Sequence, residues 1–153
     1  MEKTSEFLIY LMACSLQGTK PEEALLANID MEALLRLAKA HSVSAMVCMA
    51  LEQTDAFQHA AETTRLKWLD AKNKAVRKNM LLDAERHQLE KEFAEHGIWY
   101  MPLKGSILKD WYPKFGMREM ADNDILFDAT RRQQVRDIFV NRGYSIESYN
   151  KSN

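Results

Sequence analysis

The stretch IWYMPLKGSILKDWYPKFGMREMADNDILFD, residues 98–128, contains two short apolar runs separated by a polar segment with glycine and proline. The runs lie at 98–103 and 122–127, and each is bounded by turn-forming or charged residues. This pattern is typical of β-strands. Between them we expect a brief helix over 106–111, followed by a loop, because a residue that precedes a proline such as Pro113 is disfavoured in a helix.

Toward the N-terminus from this stretch, the chain is predicted to be helical up to His96. Apolar residues recur there at i, i+3 and i+4, and Asp30 is suited to cap the helix that contains Leu34. Segment 60–96 has neither glycine nor proline, which favours one long helix or two joined by a bend, with Gly97 as the terminating residue. Shorter helices are predicted from Phe7 to Leu16, before Gly18, and from Ser42 or Ser44 to Leu51.

Toward the C-terminus, Asp128 is suited to cap a helix that reaches Asn141 and ends at Gly143. A third strand is predicted to begin over 144–148, and a lone strand at a chain end needs a partner. We therefore predict an α+β chain. It has a helical region over 1–96 and, over 97–153, the front half of a mixed-sheet core that is truncated at its C-terminus.

The composition is that of an ordinary globular protein, with 46% hydrophobic and 28% charged residues. The net charge of −1 gives no overall attraction to nucleic acid or to anionic membranes, so any site for a polyanion must be local. No apolar run approaches the ~20 residues that cross a bilayer. Cys14 and Cys48 are isolated, which indicates neither a zinc site nor a disulfide framework, so a cytoplasmic location is expected. Homo-oligomerisation is left open.

Two polar elements of this stretch are suited to bind a metal-bound nucleoside triphosphate. Gly105 and Ser106 follow the first predicted strand at a helix start, where backbone N–H groups can hold phosphate. Asp122 and Asp124 are spaced i, i+2, so in extended chain they point to the same side and can hold Mg²⁺ or Mn²⁺ through oxygen ligands. The alternatives are an ordinary strand-to-helix turn and two solvent-facing carboxylates.

Two further residues extend this candidate phosphate site. Lys104 precedes the turn and can contribute a point charge toward phosphate, or it can simply lie in solvent at a strand end. Arg118 lies four residues before Asp122 and can reach a triphosphate oxygen or pair with that carboxylate. Lys67, Lys74 and other basic residues crowd the start of the long helix; they can contact an acceptor polyanion or form a solvated helix face.

The segments LKGSILKDWYP and MREMADNDIL resemble the core of the DNA polymerase β-type nucleotidyltransferase superfamily. More narrowly, the order LKG, short helix, YP, MR-x-M and DxDIL is similar to a bacterial family of uncharacterised nucleotidyltransferases, over about 97–143. The resemblance implies that Asp122 and Asp124 bind catalytic metal and that a third carboxylate on a later strand completes the set. It implies transfer of a nucleoside monophosphate from a nucleoside triphosphate to a hydroxyl acceptor, which can be a small molecule, a protein or a nucleic acid.

The chain departs from that family pattern at two points. Asn123 stands where an aliphatic residue is usual, at a position that we expect to face away from the metal. Glu147 is the candidate for the third carboxylate, but it lies early, so we expect that residue beyond Asn153. Two alternatives follow: a degenerate domain that binds nucleotide or protein without chemistry, and a helical interaction protein that dimerises through the face of Leu66 and Val76.

Overall fold

The computed structural model of the protein describes residues 2–146 and shows an α+β chain in which helices precede a small sheet. The first part contains α1 (Glu2–Gln17), α2 (Glu23–Leu26), α3 (Met31–Ala40), α4 (Ser44–Leu51), α5 (Asp55–Gln58) and α6 (Glu62–Glu95). The second part contains β1 (Tyr100–Pro102), α7 (Gly105–Leu108), a 3₁₀ turn (Lys109–Trp111), β2 (Ile125–Phe127), a second 3₁₀ turn (Ala129–Arg131) and α8 (Arg132–Asn141). The predicted division between residues 96 and 97 stays a prediction.

The ends of the N-terminal helices follow from local residues, as predicted. α1 ends at Gln17, and Gly18 follows with a φ of +68°, a conformation that glycine adopts without steric cost. The Asp30 carboxylate accepts hydrogen bonds from the Glu32 and Ala33 N–H groups, which leave the first turn of α3 without intrahelical partners. Gly18 and Asp30 therefore act locally, each within three positions of the helix terminus that it determines.

The start of α4 is different, because its cap comes from a distant part of the chain. The helix begins at Ser44, one of the two predicted starts, but the residue at the capping position is Val43, whose side chain has no oxygen. Instead Glu119 Oε1 accepts from the Ser44 hydroxyl at 2.7 Å and from the Ala45 N–H at 2.9 Å. The segment after α7 is thereby attached to the N-terminal helices.

The predicted long helix is the single helix α6 of 34 residues, which corresponds to a length of about 50 Å. It ends where expected, with Gly97 at a φ of +63°. The Ile98 N–H donates to the Phe93 carbonyl at 2.8 Å, so Ile98 closes the helix. None of the helices within residues 2–146 is both long and apolar enough to cross a membrane.

Helix α6 contributes to two separate hydrophobic clusters. Its N-terminal half supplies Trp68 and Ala71 to a cluster formed with α1, α2, α3, α4 and α5. Its C-terminal half supplies Leu89 and Phe93 to a second cluster, which also contains Ile98 and residues of α8 and is contacted by inward side chains of both strands. The helix is thus the element against which the sheet and the N-terminal helices both pack.

The sheet consists of β1 and β2, which are antiparallel with Pro102 opposite Ile125. Both strands are shorter than predicted. The first begins at Tyr100 because Ile98 closes α6, and the second begins at Ile125 because the chain opposite it turns away after Leu103 into α7. The predicted third strand is absent over 144–146, and its remaining residues, 147–148, lie outside the described part of the chain.

The two cysteines are structural, in agreement with their isolation in the sequence. Cys14 and Cys48 are free thiols that lie buried in the first cluster. Burial raises the pKa of the Cys48 thiol to about 12 because the thiolate is disfavoured away from water. A thiol of this kind is protonated and unreactive near neutral pH.

Candidate functional site

The strand register brings the two polar motifs to the same end of the sheet. The Leu103 N–H donates to the Asp124 carbonyl at 2.9 Å, which extends the ladder by one step beyond Pro102 and Ile125. Lys104, the next residue, leaves the ladder and starts α7. The lysine-glycine turn and the acidic segment, 18 positions apart between Lys104 and Asp122 in the sequence, therefore lie side by side.

A cleft of about 280 Å³ lies between these two motifs. Five of the six predicted site residues line it: Lys104, Gly105, Arg118, Asp122 and Asp124. The remaining wall is formed by Leu103 and by the segment 119–121. The structure therefore gathers in one cavity the cations, the glycine turn and the paired acids that the sequence analysis selected separately.

Lys104 contacts one of the two acids, Asp124, directly. Its Nζ lies 2.9 Å from Asp124 Oδ2, although 73% of the lysine side chain is exposed. The hydrogen bond to Asp124 raises the Lys104 pKa, and the charge of Asp122 acts in the same direction. Lys104 also has a φ of +47°, a left-handed conformation that is uncommon for a residue with a side chain. In this structure the ammonium group is the cation that the acid pair requires.

Gly105 is buried where a larger residue has little room. A Cβ at this position would lie 2.8 Å from the Met120 sulfur and 3.4 Å from Arg118 Nε. The Ser106 side chain is buried too, and its hydroxyl donates to the Leu103 carbonyl at 2.8 Å. Ser106 therefore stabilises the turn, and it is not among the residues that line the cleft.

Arg118 packs beside Gly105 and faces the same cleft. Within residues 2–146 its guanidinium makes no ion pair with Asp122, and its Nε is buried without a hydrogen-bond partner. Of the two roles that the sequence left open for Arg118, pairing with Asp122 is therefore not observed. The arginine keeps donors available to an anion in the cleft.

The donor set and the surroundings of the acid pair determine whether it can hold Mg²⁺. Asp122 and Asp124 both line the cleft, and the second already holds a cationic group, so the site accommodates positive charge. Within residues 2–146, no group of three or more His, Cys, Asp or Glu residues is placed to hold a metal ion. Two carboxylates fit Mg²⁺ when phosphate oxygens and water supply its other ligands. Glu147 lies outside the described residues.

Asn123, between the two acids, points the other way. Its Nδ2 donates to the Leu82 carbonyl of α6 at 2.8 Å, and both residues line a second, more apolar cavity of about 340 Å³. Its placement away from the cleft agrees with the alternation of side chains in extended chain. The amide therefore connects the acid-bearing segment to α6 through this hydrogen bond.

The residues of α6 that support the site through hydrogen bonds and ion pairs were not identified from the sequence. Asn79 contacts the backbone on both sides of Glu119, and Asp83 forms an ion pair with Lys109, which follows α7, at 3.0 Å. Arg86 contacts Asp83 in turn. One available signal was Asn79 itself, because asparagine is a poor helix former and needs a reason to stand in the middle of a long helix.

Three of the six basic residues at the start of α6 form ion pairs with neighbouring acids. Lys67 pairs with Glu32 at 2.6 Å, and Lys74 pairs with Asp70 at 2.8 Å. Lys72 pairs with Glu52. Of the two alternatives for these basic residues, the pairings therefore favour a solvated helix face over a site for a polyanion.

The chain is similar to a family of known proteins. The model of the family described as "Uncharacterised nucleotidyltransferase" matches residues 27–153, which is most of the chain. No curated protein and no solved structure matches. The match extends well before residue 97, so it includes helices outside the segment of about 97–143 that carries the resemblance. The chain belongs to this uncharacterised nucleotidyltransferase family.

Proposed function

We propose that this protein binds a nucleoside triphosphate with Mg²⁺ or Mn²⁺ in the cleft between Lys104 and Asp122, and transfers the nucleoside monophosphate to a hydroxyl acceptor. The observation that carries the proposal is the cleft itself, whose lining includes Asp122 and Asp124, two cationic side chains and a glycine turn. A triphosphate–metal complex presents the complementary charges. The likeness to the DNA polymerase β-type superfamily is part of this proposal.

Each residue of the cleft has a role that its position supports. Asp122 and Asp124 hold the metal through carboxylate oxygens, and the bound ion neutralises phosphate charge. Gly105 allows close approach of the phosphates, because it has no side chain and its N–H belongs to the first turn of α7. Lys104 and Arg118 bind phosphate oxygens from the two sides of the cleft.

The proposed reaction is a displacement at the α-phosphorus. The acceptor oxygen forms a bond to this phosphorus, the bond to the bridging oxygen breaks, and pyrophosphate leaves with the bonding electrons while the hydroxyl proton passes to water. Such transfer depends mainly on positioning and charge neutralisation. The acceptor is a hydroxyl compound of unassigned class: a small molecule, a protein or a nucleic acid.

A second candidate is a nucleotide-binding module without turnover. It is favoured by the donor set, because the third acid that lines the cleft, Glu119, accepts hydrogen bonds from the start of α4. Among the described residues, no group of three or more His, Cys, Asp or Glu side chains is placed to hold a metal ion. Under this proposal the cleft binds the metal–nucleotide complex, but pyrophosphate is not released.

Isothermal titration of ATP, CTP, GTP and UTP, with Mg²⁺ and with EDTA, tests the proposed site. We expect at least one nucleotide to bind with Mg²⁺ and to lose its affinity in EDTA. A pyrophosphate-release assay on the same protein separates the two candidates, since release in the presence of a hydroxyl acceptor supports the enzyme. A folded protein that binds none of the four nucleotides would contradict both.

The substitution Lys104→Met is expected to have opposite effects on two ligands. It removes a charged donor to phosphate, so the affinity for the Mg²⁺–nucleotide complex should fall about tenfold. It also frees Asp124 from its ion pair, so Mn²⁺ alone, followed by electron paramagnetic resonance, should bind more tightly.

The matched control is Lys114→Met, which removes an exposed lysine from the loop after α7. It should change neither affinity. Equal effects of both substitutions would show that the loss of general positive charge, and not the contact with Asp124, explains the result.

A further inference from the structure

The acid-bearing segment lies along one face of α6, which we call the docking face and define by Val76, Asn79 and Leu82. These residues are spaced by three positions, so they follow one side of the helix. Each contacts a different part of the segment 116–123. Together, the three contacts fix the position of this segment along α6 and the direction in which it runs into β2.

The first contact is steric. Gly116 approaches α6 so closely that a Cβ at this position would lie 2.5 Å from Val76 Cγ2. Gly116 also has a φ of +88°, which a residue with a side chain rarely adopts. The segment therefore begins its path in direct contact with the helix.

The central contact is made by Asn79, whose side chain is almost completely buried, with 1% of the residue exposed. Its Nδ2 donates to the Arg118 carbonyl at 2.7 Å, and its Oδ1 accepts from the Met120 N–H at 3.1 Å. The amide thus occupies the place that a neighbouring strand would take beside residues 118 and 120. A buried amide is costly unless it is hydrogen-bonded, and here both of its ends are used.

The last contact is the hydrogen bond from Asn123 to the Leu82 carbonyl, described above. The segment held by these two asparagine side chains contains Arg118, Met120 and Asp122, and all three residues line the cleft. The backbone that carries the proposed anion and metal ligands is therefore held by side-chain amides, because no strand pairs with it among the described residues.

We infer that Asn79 is a positioning residue for the cleft, which orients Arg118 and the acid pair toward the metal–nucleotide complex through the backbone of residues 118–120. This inference rests on the proposed function, because its effect is measured on nucleotide binding. Asn79 does not line the cleft, so it acts through Arg118 and Asp122 and not by contact with the ligand.

The test compares Asn79→Ala with Asn73→Ala, which removes an exposed asparagine from the same helix. The probe is the Mg²⁺ complex of whichever of ATP, CTP, GTP and UTP binds the unaltered protein most tightly. We expect Asn79→Ala to weaken binding about 10–100-fold, as loss of residues that orient ligands does, and Asn73→Ala to leave it unchanged. Circular dichroism melting establishes that each variant is folded at the temperature of the titration.

A double-mutant cycle with Arg118→Ala provides a measurement that a purely structural role would not alter. If Asn79 acts by orienting Arg118, the effect of Asn79→Ala should be much smaller when the arginine is already absent. Should Asn79→Ala be unfolded, Asn79→Ser replaces it, because a serine hydroxyl can bond to its own helix backbone.

The outcomes separate this inference from the proposed function. If the unaltered protein binds none of the nucleotides, the proposed function fails and the inference fails with it. If it binds but folded Asn79→Ala resembles Asn73→Ala, the inference is overturned while the function stands. An equal loss from Asn79→Ala with and without Arg118 also overturns it, because the effect then does not pass through the arginine.

Discussion

The double variant Asp122→Asn/Asp124→Asn is expected to lose Mg²⁺-dependent nucleotide binding, with an affinity at least about 100-fold lower than that of the unaltered protein. The physical reason is that asparagine keeps the shape of each side chain but removes the negative charge that attracts a divalent cation. It also removes the partner of Lys104, which then stands in the cleft without its carboxylate. Titration of the Mg²⁺–nucleotide complex, beside the same titration in EDTA, measures the effect.

A matched control replaces two exposed acids that lie outside the cleft, in the variant Asp70→Asn/Asp137→Asn. It changes the net charge of the protein by the same amount and should leave the affinity unchanged. If the cleft variant kept its Mg²⁺-dependent binding while remaining folded, Asp122 and Asp124 would not be the metal ligands and the proposed site would be wrong.

The substitution Trp68→Ala is expected to lower the free energy of unfolding by about 3–5 kcal/mol. Trp68 is fully buried in the first hydrophobic cluster, and its indole N–H donates to the Met31 carbonyl at the start of α3. Its loss leaves a large cavity and removes this hydrogen bond to α3. Urea denaturation followed by circular dichroism gives the change in the free energy of unfolding.

Trp111→Ala is the corresponding control, because 78% of this tryptophan is exposed. We expect it to change the free energy of unfolding by no more than about 0.5 kcal/mol, as surface substitutions usually do. Similar losses in the two variants would mean that the packing of Trp68 between α6 and the N-terminal helices does not contribute the expected stability.

Elements that depend on neighbouring residues were predictable from the sequence. The termination of α1 at Gly18, the cap of α3 by Asp30 and the closing glycine of α6 each involve residues within a few positions. Asp128 also forms a local cap, but it caps the 3₁₀ turn Ala129–Arg131 and not α8, which was the prediction. Its carboxylate accepts from the Thr130 hydroxyl and N–H, which lowers the Asp128 pKa. Local geometry of this kind is nearly independent of the rest of the chain.

The strand lengths were less predictable, because they depend on what each strand end contacts. Apolar character over 98–103 and 122–127 indicated strands, but Ile98 closes α6 and Asn123 is bonded to the same helix. These residues have partners other than a strand, so the ladder is confined to the middle of the first run and the end of the second. The apolar pattern alone does not distinguish a residue that pairs in a sheet from one that packs against a helix.

By itself, the sequence determined the α+β class, the helix ends and the selection of Lys104, Gly105, Asp122 and Asp124 as chemically special residues. The tertiary structure decided that these residues share one cleft and that α6 supports it. The physical reason is distance along the chain: the partners of Asn79 and Asn123 lie 39 to 41 positions away, and Glu119 caps a helix 75 positions before it. Contacts over such separations arise from packing, which no local pattern of residues specifies.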